Sequence, residues 1–455
     1  MTAIKFYSTN LEAPLLTFSQ ALLGGIAPDR GLYMPEEIPS LEADELETFS
    51  RMEYHEIAFE ICRRFLREEI EDADLAALVR DAYDFPVPLE KVTGNKHVMR
   101  LDQGPTASFK DFAARMMGRL MQYYLKQGKR ELLILTATSG DTGSAIANAF
   151  YGLDNIKVLV LFPEKEVTAR QRKQMTTLGR NIQIAAVRGK FDDCQALVKQ
   201  AFADEELAYL NLSSANSINI GRLLPQSIYY FYAFAKLRAG RKDDAVVFSV
   251  PSGNFGDMMG GLLARAMGLP VKRFIIAVNE NDEFPRFLDT GVYKKISPSR
   301  NCLSSAMNVG HPSNLSRVVA YYGGVMDETG LVKKKPDFQR MRREMYSCSV
   351  RDGETEDTIR RAWKEHKLLL EPHGAVGWAG LNRYLEEDAG KLEDGDLLVS
   401  LETAHPAKFP EKIIELLGFD PELPPSLQGI EEKEEHYDNL DNSYWEFKEY
   451  LKKNY

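Results

Sequence analysis

ELLILTATSGDTGSAIANAFYG, residues 131 to 152, contains the three parts from which the fold can be read. An apolar run ends at Thr138, a Ser/Gly/Thr-rich turn (SGDTG, 139–143) follows, and SAIANAFYG then takes on helical texture. Outward from this stretch the same succession of strand, loop and helix recurs. Strands are predicted at His97–Leu101, Leu132–Thr136, Lys157–Phe162, Ile182–Val187, Ala245–Val250, Phe274–Val278 and Leu397–Leu401. Helical patterns of about 10–20 residues separate most of them. Such alternation implies parallel strands joined by helical crossovers and covered on both faces.

Residues 1–95 read differently. Leu15–Leu23 is a short apolar helix, APDRGLYMPEEIP (27–39) is a punctuated loop, and amphipathic helices follow at 54–68 and 72–83. The expected organisation is therefore a mostly helical N-terminal region (1–95), an α/β domain at 96–235, a second at 236–428, and a tail at 429–455. The tail is charged but carries Tyr437, Leu440, Tyr444, Trp445, Phe447 and Leu451. That apolar content predicts a helix docked on the body, a partner-binding segment being the other reading.

Composition narrows the classes of function. The chain has 455 residues, 44% hydrophobic and 27% charged, with a net charge of −10. A chain of this length is expected to divide into lobes. No Lys/Arg block tracks a phosphate backbone, which argues against a nucleic-acid partner. No run approaches the ~20 apolar residues of a membrane span. Cys62, Cys194, Cys302 and Cys348 are far apart and lack zinc-ligand spacing, so free thiols, no metal site and a reducing compartment are expected. MTAIKFYSTN lacks the basic start and apolar core of a signal peptide. Together these point to a cytoplasmic protein without membrane partners.

Three loops and one lysine could carry chemistry. In GPTASFKDF (104–112), Lys110 lies in the first turn of a helix marked by Phe112, Met116, Met117, Leu120, Met121 and Tyr124. The positive end of the helix dipole disfavours a cation there, so a desolvated lysine would lose its proton more readily and become nucleophilic. A solvated surface lysine is the bland alternative. SGDTG presents backbone amides at a helix start, with Ser139 and Thr142 as hydroxyl donors; it is either an anion site or an ordinary turn capped by Thr142. PSGNFGD (251–257) follows the next strand; Gly253 and Gly256 permit positive φ and close approach of a ligand to the backbone, and Asn254 can also adopt a left-handed conformation. Its spacing matches neither a Walker loop nor a dinucleotide fingerprint, which leaves a cradle for a single phosphate or a tight turn. LETAHPAKFPE (401–411) puts Thr403 at the carboxyl end of a strand, where ligands of such sheets bind. A cofactor with one phosphate, an aldehyde and a heteroaromatic ring would use all of these parts; that cofactor is pyridoxal 5′-phosphate.

Read as an ordered set, the motifs resemble the threonine synthase family of fold type II (tryptophan synthase β-like) pyridoxal-phosphate enzymes. The matching segments are APDRGLYMPEEIP (27–39), GPTASFKDFAARMM (104–117), TATSGDTGSA (136–145), NSINIGRLLPQ (216–226), PSGNFGD (251–257), DEFPRF (282–287), SSAMNVGHPSN (304–314), EPHGAVG (371–377) and ETAHPAKFP (402–410). The resemblance implies two open parallel α/β domains and conversion of O-phospho-L-homoserine and water into L-threonine and phosphate. It implies that Lys110 forms the Schiff base with the cofactor, that Gly253, Asn254, Phe255, Gly256 and Asp257 form its phosphate cup, and that Thr403 meets the pyridine nitrogen. Related branches carry Asn where this chain has Asp141; that residue contacts the cofactor's phenolic oxygen, so an ionised Asp141 requires a shared proton or a rotation. Ser139, Gly140, Thr142 and Gly143 would grip the substrate carboxylate, and Thr106, Ser108, Asn216, Asn219 and Arg222 its phosphate. Asp29-Arg30-Gly31 stands where the family often has Asp-Gly-Gly, a change expected to alter only a surface turn. The branch is often monomeric, which implies a monomer acting on a small molecule. The alternative within the family is a phospholyase that releases 2-oxobutyrate, ammonia and phosphate. A cofactor-free binding protein would dispense with Lys110, and a nucleotide-dependent oxidoreductase would need the missing fingerprint.

Overall fold

A computed structural model describes residues 3–128, 130–238, 245–388, 392–393 and 395–455. Val246–Pro251 and Leu397–Glu402 are near-continuous apolar runs, and every residue in both is buried. Strands buried on both faces need no alternation, and these two lie side by side at the centre of a six-stranded sheet. Its order is Met345–Ser349, Val271–Val278, Val246–Pro251, Leu397–Glu402, Lys96–Arg100 and Leu89–Thr93. All neighbours are parallel except the last pair, where Leu89 faces Met99. A five-stranded, all-parallel sheet orders Asp438–Asp441, Ile182–Arg188, Ile156–Pro163, Leu132–Ala137 and Leu212–Ser213.

Every strand predicted from the sequence exists, with Val271–Val278 starting earlier than expected. The unpredicted strands are short. Leu89–Thr93 and Asp438–Asp441 sit at sheet edges with mostly exposed or half-buried residues, so they lack the apolar signature that marks an inner strand. Two strands also cross the expected boundaries. Lys96–Arg100 pairs with Leu397–Glu402 rather than with the sheet of 132–188, and the tail strand pairs with Ile182–Arg188. After it, the Tyr444–Asn454 helix buries Phe447 and Leu451 with Cys194, Leu197 and Val198.

In the N-terminal region, helices run over Tyr54–Leu66 and Asp72–Ala82. The first apolar helix is shorter than predicted, Phe18–Gly24, because Leu16 bridges to Phe6 and Thr17 caps the helix in a capping box with Gln20. Arg30 sits in a turn at φ 66°, with an exposed side chain that pairs with Glu328. No helix among the described residues is long and apolar enough to cross a membrane. The carboxyl ends of Leu132–Ala137, Val246–Pro251 and Leu397–Glu402 lead directly into SGDTG, PSGNFGD and Thr403.

Candidate active site

Lys110 is the first residue of the Lys110–Gly128 helix. The loop before it is stitched to the exit of the Leu397–Glu402 strand: Phe109 donates its amide to Thr403 O (2.9 Å) and His405 donates to Ala107 O (3.0 Å). Ala107, fully buried, is held at φ 53°, a conformation that a non-glycine residue keeps only when its surroundings impose it. Lys110 and Thr403 are thus brought together across 293 positions of sequence by main-chain hydrogen bonds. Lys110 Nζ lies 3.5 Å from Asp141 Oδ2 and 4.9 Å from the ring centre of Phe109. Burial lowers the pKa of its amine, the cations Lys408 and Arg222 add to the lowering, and Asp141 opposes it.

Asp141 opens the Asp141–Phe150 helix. Gly140, at φ 132°, takes the cap position, so Thr142 is not the cap. Thr138 Oγ1 accepts the amides of both Gly140 (2.9 Å) and Gly143 (2.8 Å). The expectation that these two glycine amides grip a substrate carboxylate is corrected on that ground: both are spent inside the turn. Gly143 is required for packing, since a Cβ would collide with Met175 and Thr138. The first-turn amides of Asp141 and Thr142 have no intrahelical partner by construction, and Ser139 and Thr142 are half-buried.

The buried Asp141 carboxylate accepts from Lys408 Nζ (2.6 Å) and from Gln171 Nε2 (2.9 Å). Burial alone would push its pKa up, but the Lys408 ammonium, with a smaller lowering from any charge on Lys110, outweighs that and holds it well below the usual carboxylate range. Asp141 is thus held as a carboxylate among these donors. Lys408, fully buried, is the residue sequence reasoning missed. It stood inside ETAHPAKFP, but a lysine in a Pro-rich loop reads as a solvated surface charge.

Of the two uses expected of the PSGNFGD glycines, the loop shows tight approach and not positive φ. Neither Gly253, Gly256 nor Asn254 has positive φ; the left-handed residue is Phe255 at φ 63°, whose ring packs on Phe284 with centroids 4.7 Å apart. Gly253 is needed for close approach instead, because a Cβ there would lie 2.9 Å from Met307 Cα and 3.0 Å from Ala306 O. Asn254 O accepts from Asn314 N, and its Oδ1 accepts from Ser313 Oγ. Asp257 does not serve a phosphate with its side chain. Its Oδ1 accepts both the Tyr229 and Tyr230 hydroxyls at 2.6 Å, and burial, partly offset by those two bonds, raises its pKa to about 6. A carboxylate would repel an anion, so only the main chain at Gly256–Asp257, in the first turn of the Gly256–Ala266 helix, remains for that role.

The substrate-side candidates divide. Thr106 is occupied, its amide and hydroxyl bonded to Asp111 and its carbonyl to Gln174 and Lys408. Asn219 caps the Ile220–Leu223 helix and gives its amide to Leu22 O and Ser214 O, so its polar atoms are spent on scaffolding. Asn216 is half-buried, with Oδ1 held by the Thr136 hydroxyl. Among the described residues, Ser108 Oγ and Arg222 Nε are buried with no hydrogen-bond partner. Arg222 Nη1 donates to Ala215 O (2.7 Å), and burial lowers its pKa to about 10.

These residues suit pyridoxal 5′-phosphate. An amine with lowered pKa, a loop whose glycine leaves no room for a Cβ, a hydroxyl residue at a strand end, and two orphaned buried donors are what a phosphorylated aldehyde on a polar ring requires.

Comparison with known proteins agrees. Residues 5–83 match the family model "Threonine synthase N terminus", 86–403 match "Pyridoxal-phosphate dependent enzyme", and 374–451 match "Threonine synthase, C-terminal". The chain is 41% identical to threonine synthase of Haemophilus influenzae, covering 99% of this chain and all of that one. It is 40% identical to the Escherichia coli enzyme over 93% of this chain and 94% of the relative. The crystal structure of PLP-bound threonine synthase from Brucella melitensis superposes with a TM-score of 0.91 at 37% identity, covering 99% of each chain.

Proposed function

The chain belongs to the threonine synthase family, and from that premise we infer how its site works. It is a pyridoxal-phosphate enzyme of fold type II that converts O-phospho-L-homoserine and water into L-threonine and phosphate. The observation that carries the reading is the convergence of Lys110, Asp141 and Thr403 from three distant segments on one buried site.

The cofactor, when bound, supplies an aldehyde for amines and a ring that accepts the electron pair released at the substrate's Cα. Lys110 is the residue that would hold it at rest. Freed by the substrate, the Lys110 amine takes the proton from Cα and then moves protons at Cβ and Cγ, for which its lowered pKa suits it. Thr403 would meet the ring nitrogen, where a hydroxyl, unlike a carboxylate, would favour a less protonated pyridine, and Asp141 would stand toward the ring oxygen. Gly253, Asn254, Phe255 and Gly256, with the amide of Asp257, cradle the cofactor phosphate. Ser108 and Arg222 offer unpaired donors to the substrate phosphate, while Ser139 and Thr142 orient the substrate carboxylate.

A monomer is proposed, as the family resemblance implies, and sedimentation at micromolar concentration checks it. Four free cysteines and a net charge of −10 support a cytoplasmic location and a small-molecule rather than nucleic-acid partner. The deciding experiment is incubation with O-phosphohomoserine followed by separation of products. Threonine is expected; 2-oxobutyrate and ammonia without threonine refute the reading. Lys110→Ala should abolish turnover and the cofactor absorbance near ~410–430 nm.

A further inference from the structure

Two lysines and one aspartate share a buried corner of the site, and the reaction uses only one of the lysines. Lys408 Nζ bonds Asp141 Oδ1 at 2.6 Å and Thr106 O at 2.9 Å. Lys110 Nζ stands farther from the same carboxylate, 3.5 Å from Oδ2. Three buried charges are costly, and the lowest-cost state is one neutralised pair beside one neutral amine. Geometry decides which amine stays charged. Lys408 has the shorter ion pair and a second acceptor, so it is the ammonium, and Lys110 gives up its proton.

We propose that Lys408 is a positioning residue for the reaction: by neutralising Asp141 through Oδ1, it weakens the hold of Oδ2 on Lys110 and keeps that carboxylate from locking Lys110 as an ammonium. Asp141 and Lys408 then form a matched pair. An amide at position 141 would carry no charge and would need no cation at 408. The lysine's other neighbours do not substitute for it. Arg222 also faces Lys110 but makes no hydrogen bond to Asp141, and Asp257 is held by two tyrosines. His373 adds a weaker field at Asp141, and Asp111 and His405 face Lys408. This rests on Lys110 being the cofactor lysine, but its test reads the amine rather than the product, so it can fail while the assigned reaction stands.

The test is competitive acetylation of the full-length chain freed of pyridoxal phosphate, with Lys110 labelling followed by peptide mass spectrometry across pH. Lys408→Met leaves Asp141 with Lys110 as its nearest cation, so Lys110 should hold its proton more tightly, slowing its labelling at neutral pH about tenfold or more. Lys408→Met with Asp141→Asn removes both charges and should restore labelling to within about threefold of the native chain, which a merely structural lysine would not allow. Asp141→Asn alone, which keeps the native cation, should label as fast as the native chain or faster. Unchanged labelling in Lys408→Met, failure of the double variant to recover, or slower labelling in Asp141→Asn each overturns the proposal. If Lys408→Met does not fold, the double variant and Asp141→Asn carry the test.

Discussion

Replacing Glu283 by Gln should make the protein less sensitive to alkaline pH. Glu283 starts the Glu283–Thr290 helix, is 2% exposed, and has a buried Oε2 with no partner. Burial raises its pKa from 4.5 to about 8; the adjacent Asp282 adds to the rise, while a backbone amide, Arg286 and Arg300 reduce it. The folded state thus binds this proton more tightly than the unfolded chain does. Its stabilising contribution is complete below pH 4.5 and is lost as pH climbs to 8. A difference of 3.5 pH units between the two states corresponds to on the order of 4–5 kcal/mol in total, of which about 3 kcal/mol is gone by pH 7. Gln cannot ionise, so Glu283→Gln carries only a pH-independent offset. Urea unfolding of both proteins at pH 5, 7 and 9 measures the gap. It should shift in favour of the variant by several kcal/mol across that range and level off above pH 8. A gap that stays constant from pH 5 to 9 would refute the assignment of a protonated buried carboxyl. The effect reaches the site because the neighbouring Phe284 packs on Phe255 of the glycine loop.

Gly253→Ala should weaken cofactor binding tenfold or more, about 1.4 kcal/mol, as the new methyl pushes the loop away from Ala306 and Met307; equilibrium dialysis of pyridoxal phosphate checks it. Tyr229→Phe and Tyr230→Phe each remove a hydroxyl bonded to the Asp257 carboxyl, the Tyr230 hydroxyl also reaching Asp257 O, and should cost about 1–3 kcal/mol apiece, read by denaturant unfolding. Because the pKa of Asp257 is already raised to about 6, both losses should be larger at pH 8 than at pH 5, where the carboxyl can protonate instead.

Inner strands were legible from the sequence because burial on both faces writes a continuous apolar run, as in Leu132–Ala137 and Val246–Pro251. Edge strands such as Asp438–Asp441 have one buried residue in four and leave almost no trace. At the site, Lys110 and Thr403 could be read because each sits at the end of a regular element. Lys408 could not, since its meaning depends on a carboxylate 267 positions away that only the fold brings near. The glycines were legible in kind but not in use: a glycine can answer a demand for positive φ or a demand for space, and sequence offers both without distinguishing them. At Gly253 the demand is space, and the positive φ falls on Phe255. Thr106 and Asn219 have their polar atoms engaged within the protein, because polar side chains in tight loops are as readily consumed by the local scaffold as offered to a substrate.

The strand order also fixes when the enzyme can come into being. Leu397–Glu402 is the central partner joining Lys96–Arg100 to Val246–Pro251, yet it is the last of the six to be synthesised, and Asp438–Asp441 is later still for the other sheet. A nascent chain that has made Lys110 and the glycine loop therefore carries a large sheet split down its middle, with two inner edges unpaired and open to aggregation. Capture of the cofactor has to wait until the chain is nearly complete, so truncated products of translation should be substrates for chaperones and proteases rather than partly active enzymes.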